Sequence, residues 1–225
     1  MMAKSKSEPA GGKRRIFLVD DHPVLRAGFR CLLEAEPNLQ VCGEAESARK
    51  AFDRIQAASP ELIIVDISLP GPSGIELIKG LKARFPALRI LVLSMHDEAL
   101  YAERALRAGA KGYVMKQAPT EDLLTAVRRV LNNEIYLSQS LSTQLLGAFV
   151  SQKRDPGPIL KKLSDREFEI VRLIGKGFTT GETAKELGIS SKTVESHRGN
   201  IRRKLNLRSG AELVRFALAN TEDRV

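Results

Sequence analysis

Residues 62–70 read Leu62-Ile63-Ile64-Val65-Asp66-Ile67-Ser68-Leu69-Pro70. A four-residue apolar run, mostly β-branched and closed by an acid and a proline, is what a strand covered on both faces requires. The same grammar recurs outward in both directions. Strands are predicted at Ile16–Val19, Leu39–Gly43, Leu62–Val65, Arg89–Leu93 and Gly112–Met115. Between and after them, apolar residues at spacings of three and four predict helices over Val24–Glu36, Ala48–Ala58, Ile75–Phe85, Ala99–Ala108 and Thr120–Asn132. Such alternation is the signature of an α/β fold, here a five-stranded parallel doubly wound (βα)5 sheet over residues 14–132.

Beyond residue 132 the alternation stops. Residues 133–160 are expected to form a linker with a weak helix (Leu141, Leu145, Phe149), followed by Gln152-Lys-Arg-Asp-Pro-Gly-Pro158, whose prolines and glycine suit a boundary. From Leu163 to Ala219 the pattern is purely helical. Ser164 with Glu167 forms a capping-box signature ahead of Phe168, Val171 and Ile174, and Gly175 and Gly177 close that helix. A short helix, Gly181–Leu187, is followed by a turn at Gly188 and a longer helix, Ser191–Leu205, with an apolar stripe of Val194, Ile201 and Leu205. A short helix, a glycine turn and a longer basic helix is the helix-turn-helix layout, so residues 161–225 are predicted to be a small all-α domain that binds DNA.

Charge agrees with this division. The 225 residues carry a formal net charge of +9, divided as +4 over residues 1–15, zero over 16–132 and +5 over 133–225. Only the N-terminal tail (residues 1–13) and the last third have reason to seek an anionic polymer. Apolar runs of four residues cannot cross a bilayer, and the N-terminus has no apolar core behind its basic residues, so a cytoplasmic protein with no membrane partner is expected. Cys31 and Cys42 make neither a disulfide scaffold nor a zinc site and are read as small core residues.

Polar groups at the strand ends define the candidate chemistry. Asp20 and Asp21 follow the first strand, Asp66 the third, Ser94 the fourth and Lys116 the fifth. In a doubly wound sheet these ends converge on one crevice. An Asp at a strand end is by itself commonly a turn former, but several carboxylates together require a cation, and oxygen ligands shared with water and phosphate describe Mg2+. Asp66 is then the candidate carboxylate nucleophile for a phosphoryl group, with Lys116 and Ser94 placed to hold phosphoryl oxygens.

The motifs Val19-Asp-Asp-His, Val65-Asp-Ile-Ser-Leu-Pro, Leu93-Ser-Met-His and Gly112-Tyr-Val-Met-Lys-Gln resemble those of bacterial response-regulator receiver domains, which are flavodoxin-like. Leu163-Ser-Asp-Arg-Glu-Phe-Glu-Ile-Val and the run from Gly188 to Leu205 resemble the LuxR-type helix-turn-helix that ends NarL/FixJ-family regulators. The resemblance implies phosphorylation of Asp66 by a sensor histidine kinase and Mg2+ held by Asp20, Asp21, Asp66 and the Ser68 backbone carbonyl. It also implies Tyr113 as a rotamer switch beside Ser94 and Lys116, and no enzymatic activity beyond phosphoryl uptake and loss. By the family's pattern Lys192, Thr193, Glu195, Ser196, Gly199 and Arg203 face the groove, with His197 and Arg202 near the DNA backbone. Met95 is bulkier than the residue common in the family at that position, and Ser68 and His96 flank the expected path of the hydrolytic water. In the DNA-binding segment Thr183 and Gly199 depart from the pattern. Phosphorylation is expected to favour a homodimer and to release the helix Ser191–Leu205 from masking by the receiver.

Two other classes compete. A receiver can carry an RNA- or protein-binding module instead, but RNA readers usually stack bases on aromatics, and from residue 163 on only Phe168, Phe178 and Phe216 are available. Haloacid-dehalogenase-like phosphatases also use an Asp nucleophile with Mg2+, but need a second acid where this chain has Ser68.

Overall fold

The structure is a computed structural model that describes residues 12–96, 98–143 and 160–221. Five strands, β1 (Arg14–Val19), β2 (Leu39–Ala45), β3 (Leu62–Val65), β4 (Arg89–Ser94) and β5 (Gly112–Met115), form one sheet in the order β2-β1-β3-β4-β5, with every neighbouring pair parallel. Helices α1 (Pro23–Glu34), α2 (Ala48–Ala58), α3 (Gly74–Arg84), α4 (Glu98–Ala108) and α5 (Thr120–Leu131) alternate with them. The fold is therefore the doubly wound α/β class expected.

The decisive run behaves as its composition requires. All four residues of β3 are buried, and they alternate between two cores: Ile63 and Val65 lie on the face shared with α2, α3 and α4, and Leu62 and Ile64 on the face shared with α5. Full burial of such side chains contributes roughly 1.5–3 kcal/mol each, which holds the strand central. Ser47 and Ser73 start α2 and α3 by accepting the backbone N–H groups of Lys50 and Glu76. Cys31 departs from expectation: it lies exposed on the outer face of α1, and Cys42 is half-buried. The α1 stripe is narrow, with Leu33 its one buried residue, so a small apolar residue nearby need not face the core.

After α5 the chain returns along β5 through a single bridge between Gly112 and Tyr136, and residues 139–143 begin a helical turn. Leu141 on that turn is buried. Leu145, Phe149 and the Pro/Gly stretch 152–158 lie outside the described residues, as does most of the basic tail.

The second unit opens with a 3-10 turn (Leu160–Lys162) and has four helices: α6 (Asp165–Gly175), α7 (Thr180–Glu186), α8 (Ser191–Leu205) and α9 (Gly210–Thr221). The Ser164–Glu167 capping box is formed in both directions, and a second box, Thr179 with Glu182, starts α7 one residue before the predicted helix. Gly188 takes φ +61° in the turn between α7 and α8, a left-handed conformation that glycine adopts without strain. Phe168, Val171, Ile174, Val194 and Ile201 are buried, and Leu205 is half-buried against them.

Thr183 on α7 is fully buried and, among the described residues, its hydroxyl has no hydrogen-bond partner. Leaving such a group unsatisfied costs about 1–3 kcal/mol. Thr183→Val keeps the shape and removes the hydroxyl, so it should raise the denaturant midpoint of the helical unit; a lower midpoint would show that the hydroxyl is satisfied.

Candidate functional site: an acidic pocket and a basic helix

The strand ends do converge. Lys116 follows β5 and its side chain is almost wholly buried; its ammonium lies 2.6 Å from Asp20 Oδ2 and 2.8 Å from Asp66 Oδ2. The other oxygens are held by backbone: Asp66 Oδ1 accepts the Ser68 N–H at 3.0 Å, and Asp20 Oδ1 the His22 N–H at 2.8 Å. Burial pushes the Asp66 carboxyl above the usual carboxylate range, against the pull of Lys116. Burial would lower Lys116, but the Asp66 charge and its hydrogen bonds to both carboxylates outweigh it and hold the ammonium protonated.

Asp21 is half-exposed beside this pair. Asp20, Asp21, His22 and Asp66 each bring a ligand atom within 4.8 Å of the others. Although His22 Nδ1 is 2.9 Å from Asp21 Oδ1, that oxygen is buried without a properly directed hydrogen bond. Three carboxylates against one ammonium leave the pocket net negative, with an acceptor unused. Those donors suit a hard divalent cation that prefers oxygen to imidazole. His22, quoted in the sequence motif but given no role there, is the additional neighbour; its signal was only its adjacency to Asp21.

Ser94 is fully buried at the end of β4 and its Oγ accepts the His96 N–H at 3.1 Å. Tyr113 is also fully buried, turned inward with its hydroxyl donating to the His96 carbonyl at 2.7 Å. Burial raises the Tyr113 phenol well above its ordinary range. Met95 is half-exposed (51%) at the rim.

On α8, Lys192, Thr193, Glu195, Ser196 and Arg203 are exposed, while His197, Gly199 and Arg202 are partly covered. Three of these groups have local ties, Arg203 among them, which donates to Asn200 Oδ1 at 2.6 Å. The Thr193 hydroxyl lies 2.8 Å from Ser190 Oγ in the N-cap, and Glu195 accepts from Thr180 Oγ1 at 2.7 Å. Among the described residues nothing beyond the helix's own backbone lies within 4 Å of where a Gly199 side chain would begin, so packing there does not require glycine. Near the C-terminus of the helix Lys204 anchors it to α6, its ammonium 2.6 Å from the buried Glu167 carboxylate.

Among the described residues no hydrogen bond or ion pair joins α8 to the receiver, which is expected from the sequence to mask it wholly or partly. The two units meet through α6 instead. Asp165 pairs with Lys79 of α3 at 2.6 Å and with Arg104 of α4 at 2.9 Å. Tyr101 of α4 packs edge-on to Phe168 at 5.2 Å, with the Arg104 guanidinium 4.2 Å over the same ring. Arg172 reaches His96 at 3.1 Å, and Arg166 donates to the Gly71 carbonyl. A cavity of about 90 Å³ remains at this seam, lined by Ser68, His96, Tyr101, Arg166, Arg172 and Lys176 among others. The sequence reading missed this surface because Asp165, Glu169, Arg172 and Lys176 look like the solvated face of a helix.

A receiver-type acidic pocket and a helix-turn-helix are thus present in one chain. Residues 16–128 match the family model described as the response regulator receiver domain, and residues 161–217 that of the bacterial regulatory proteins of the luxR family. The chain belongs to the two-component response regulators that join a receiver to a LuxR-type DNA-binding domain. Oxygen regulatory protein NreC of Staphylococcus haemolyticus (strain JCSC1435) is 40% identical over 212 residues, covering 91% of this chain and 96% of that protein. RcsB from Salmonella enterica serovar Typhimurium, solved bound to promoter rprA in the presence of phosphomimetic BeF3-, is 30% identical with a TM-score of 0.64, covering 92% of this chain and 99% of that one. A LuxR-family regulator from Aurantimonas sp. SI85-9A1 is 34% identical with a TM-score of 0.59, over 62% of this chain and 100% of that one. Among the described residues no helix is long and apolar enough to cross a membrane.

Glu167 serves two elements, capping α6 and holding α8. Burial would raise its carboxyl, but Lys204 and Ser164 outweigh that and lower it from its ordinary 4.5. A lowered folded value means that the stabilisation is present above pH 4.5 and is lost as pH falls through the folded value. Glu167→Gln should therefore cost about 1 kcal/mol at neutral pH, with the difference from the parent chain closing as urea melts are taken below pH 4.5.

Proposed function

We propose that this chain is a transcription regulator switched by phosphorylation of Asp66 by a sensor histidine kinase, and that it acts in the cytoplasm on double-stranded DNA as a homodimer. The observation that carries this reading is the buried Lys116 ammonium shared by Asp20 and Asp66, with an unused acceptor of Asp21 beside them. Mg2+ would be held there by Asp20, Asp21, Asp66 and the Ser68 carbonyl, and would supply charge neutralisation for the incoming phosphoryl group.

The chain's own groups do the rest. Asp66 supplies the carboxylate oxygen that bonds to phosphorus, while the bond from phosphorus to the donor breaks and its electron pair leaves with the donor. Lys116 meets a phosphoryl oxygen as a point charge, and the Ser94 hydroxyl donates to another. The same Ser94 Oγ accepts the His96 N–H, so a change at Ser94 is felt by His96, which also carries the Tyr113 and Arg172 contacts. Two residues therefore separate the phosphoryl group from the seam between the units. A population shift from docked to undocked states is the expected outcome. No activity beyond taking up the phosphoryl group and losing it is proposed. The RcsB structures described as bound to promoters, and as two dimers on two parallel DNAs, support the DNA and dimer parts of the reading.

Phosphorylation by acetyl phosphate, followed by mass spectrometry, should require Mg2+ and stop in Asp66→Asn; uptake by that variant would remove the mechanism. On DNA, Arg202→Gln or Arg203→Gln should weaken binding to all sequences and flatten its salt dependence, whereas changes at Lys192, Glu195 or Ser196 should shift site choice. Binding curves at several salt concentrations separate the two outcomes.

A further inference from the structure

Arg172 of α6 is 7% exposed, and among the described residues no carboxylate pairs with it. Its Nη1 lies 3.1 Å from His96 Nδ1 and its guanidinium 5.0 Å over the Tyr101 ring, but its Nε is buried with no hydrogen-bond partner among the described residues. Neither neighbour is an anion. A buried guanidinium without one is costly, because its desolvation is uncompensated. One turn further on, Lys176 brings a second cation, exposed, whose ammonium has no partner among the described residues. Residues four apart share one face of a helix, and both of these line the cavity at the seam.

The other charges of the wall are occupied or lie at the rim. Arg166 is held by Glu169 at 2.9 Å and by the carbonyls of Gly71 and Leu187. Glu186 is exposed on α7, so water solvates its charge. The rest of the wall is largely apolar: Ile67 and Leu69 come from the loop after β3, Tyr101 from α4, Leu173 from α6 and Leu187 from the end of α7. A water takes about 10–15 Å³ of such space, so the cavity of about 90 Å³ has room for roughly six, or for an organic molecule of about six heavy atoms. An inorganic oxyanion would meet the cations and leave the apolar wall without partner atoms. A short-chain carboxylate suits both sides.

We propose that the seam cavity binds a small organic carboxylate, with its head group on Arg172 and Lys176 and its chain against Leu69, Leu173 and Leu187, and that the bound molecule fastens the helical unit to the receiver. The walls come from both units, so the site is whole only while they are docked, and a ligand that fills it favours docking by mass action. It is an input separate from the acidic pocket. Under the proposed function, phosphorylation acts on the same junction in the opposite direction, so the two inputs oppose each other. The cavity itself belongs to the unphosphorylated chain and does not depend on which residue accepts phosphate.

The test uses the full unphosphorylated chain and sodium butyrate, without Mg2+. Saturation-transfer NMR should show butyrate bound, with chain NOEs to the methyl groups of both Leu69 in the receiver and Leu173 in α6. By titration calorimetry, Arg172→Met and Lys176→Met should each weaken binding about ten-fold, the loss of one charge-assisted hydrogen bond. Lys176 is exposed, so its replacement leaves both cores intact even where Arg172→Met loosens the seam. Glu186→Gln removes a like charge from the rim and should tighten binding about two-fold. Inorganic phosphate at equal ionic strength should bind about ten-fold more weakly than butyrate, since it buries no methylene. Absence of butyrate binding, NOEs confined to one unit, unchanged affinity in Lys176→Met, or phosphate binding as tightly as butyrate overturns the proposal.

Discussion

Two carboxylates cannot be buried a few ångströms apart unless something positive lies between them, and in this protein the something is the ammonium of Lys116. It touches Asp20 and Asp66 from the end of a different strand, so three strands must be in register before the three charges meet. Buried ion pairs add little net stability, because desolvation consumes most of the Coulomb gain. Their use here is to fix geometry: β1, β3 and β5 end where these groups meet, and the loops that follow are placed by it. The pocket is left negative and partly unsatisfied, a state suited to receiving charge.

The second constraint is the seam. Apolar packing continues without a break from the α2–α4 face of the sheet through Tyr101 and Phe168 into the helical unit. Around that contact, Lys79, Arg104 and Asp165 form an ionic cluster, with Arg104 also reaching the carbonyls of Leu160 and Leu163. Pairs of this kind at a half-exposed boundary hold orientation more than they hold energy. Such a junction can open without either unit losing its own core.

What the sequence made legible follows from the same physics. Apolar runs bounded by Asp, Ser and Pro announce buried parallel strands, and the acids at their ends announce the pocket, because neither has another low-energy arrangement. Capping residues such as Ser164 marked the start of α6 to the residue. Charged side chains on helices were harder. Arg172 and Asp165 have the spacing of a solvated face, and only the placement of α6 against α3 and α4 shows Arg172 to be buried and Asp165 to be paired across the seam. The same limit put Cys31 in the core, although it lies exposed on α1. Pairing between units depends on surfaces that each unit could have left in water.

One small feature sets how closely the units approach. Gly71, at φ +82°, and Gly188, at φ +61°, lie back to back across the seam, and a methyl group on Gly188 would begin 3.0 Å from the Gly71 nitrogen. The turn that makes the helix-turn-helix possible is therefore also a hinge stop against the loop that follows Asp66. Two roles with different partners, one inside the DNA-binding unit and one between units, fall on a single residue without a side chain. Sequence drift at that turn is limited from both sides. A branched residue there would act as a wedge, so a DNA-binding unit freed from its receiver would arise by steric obstruction alone, with every residue of the acidic pocket still in place.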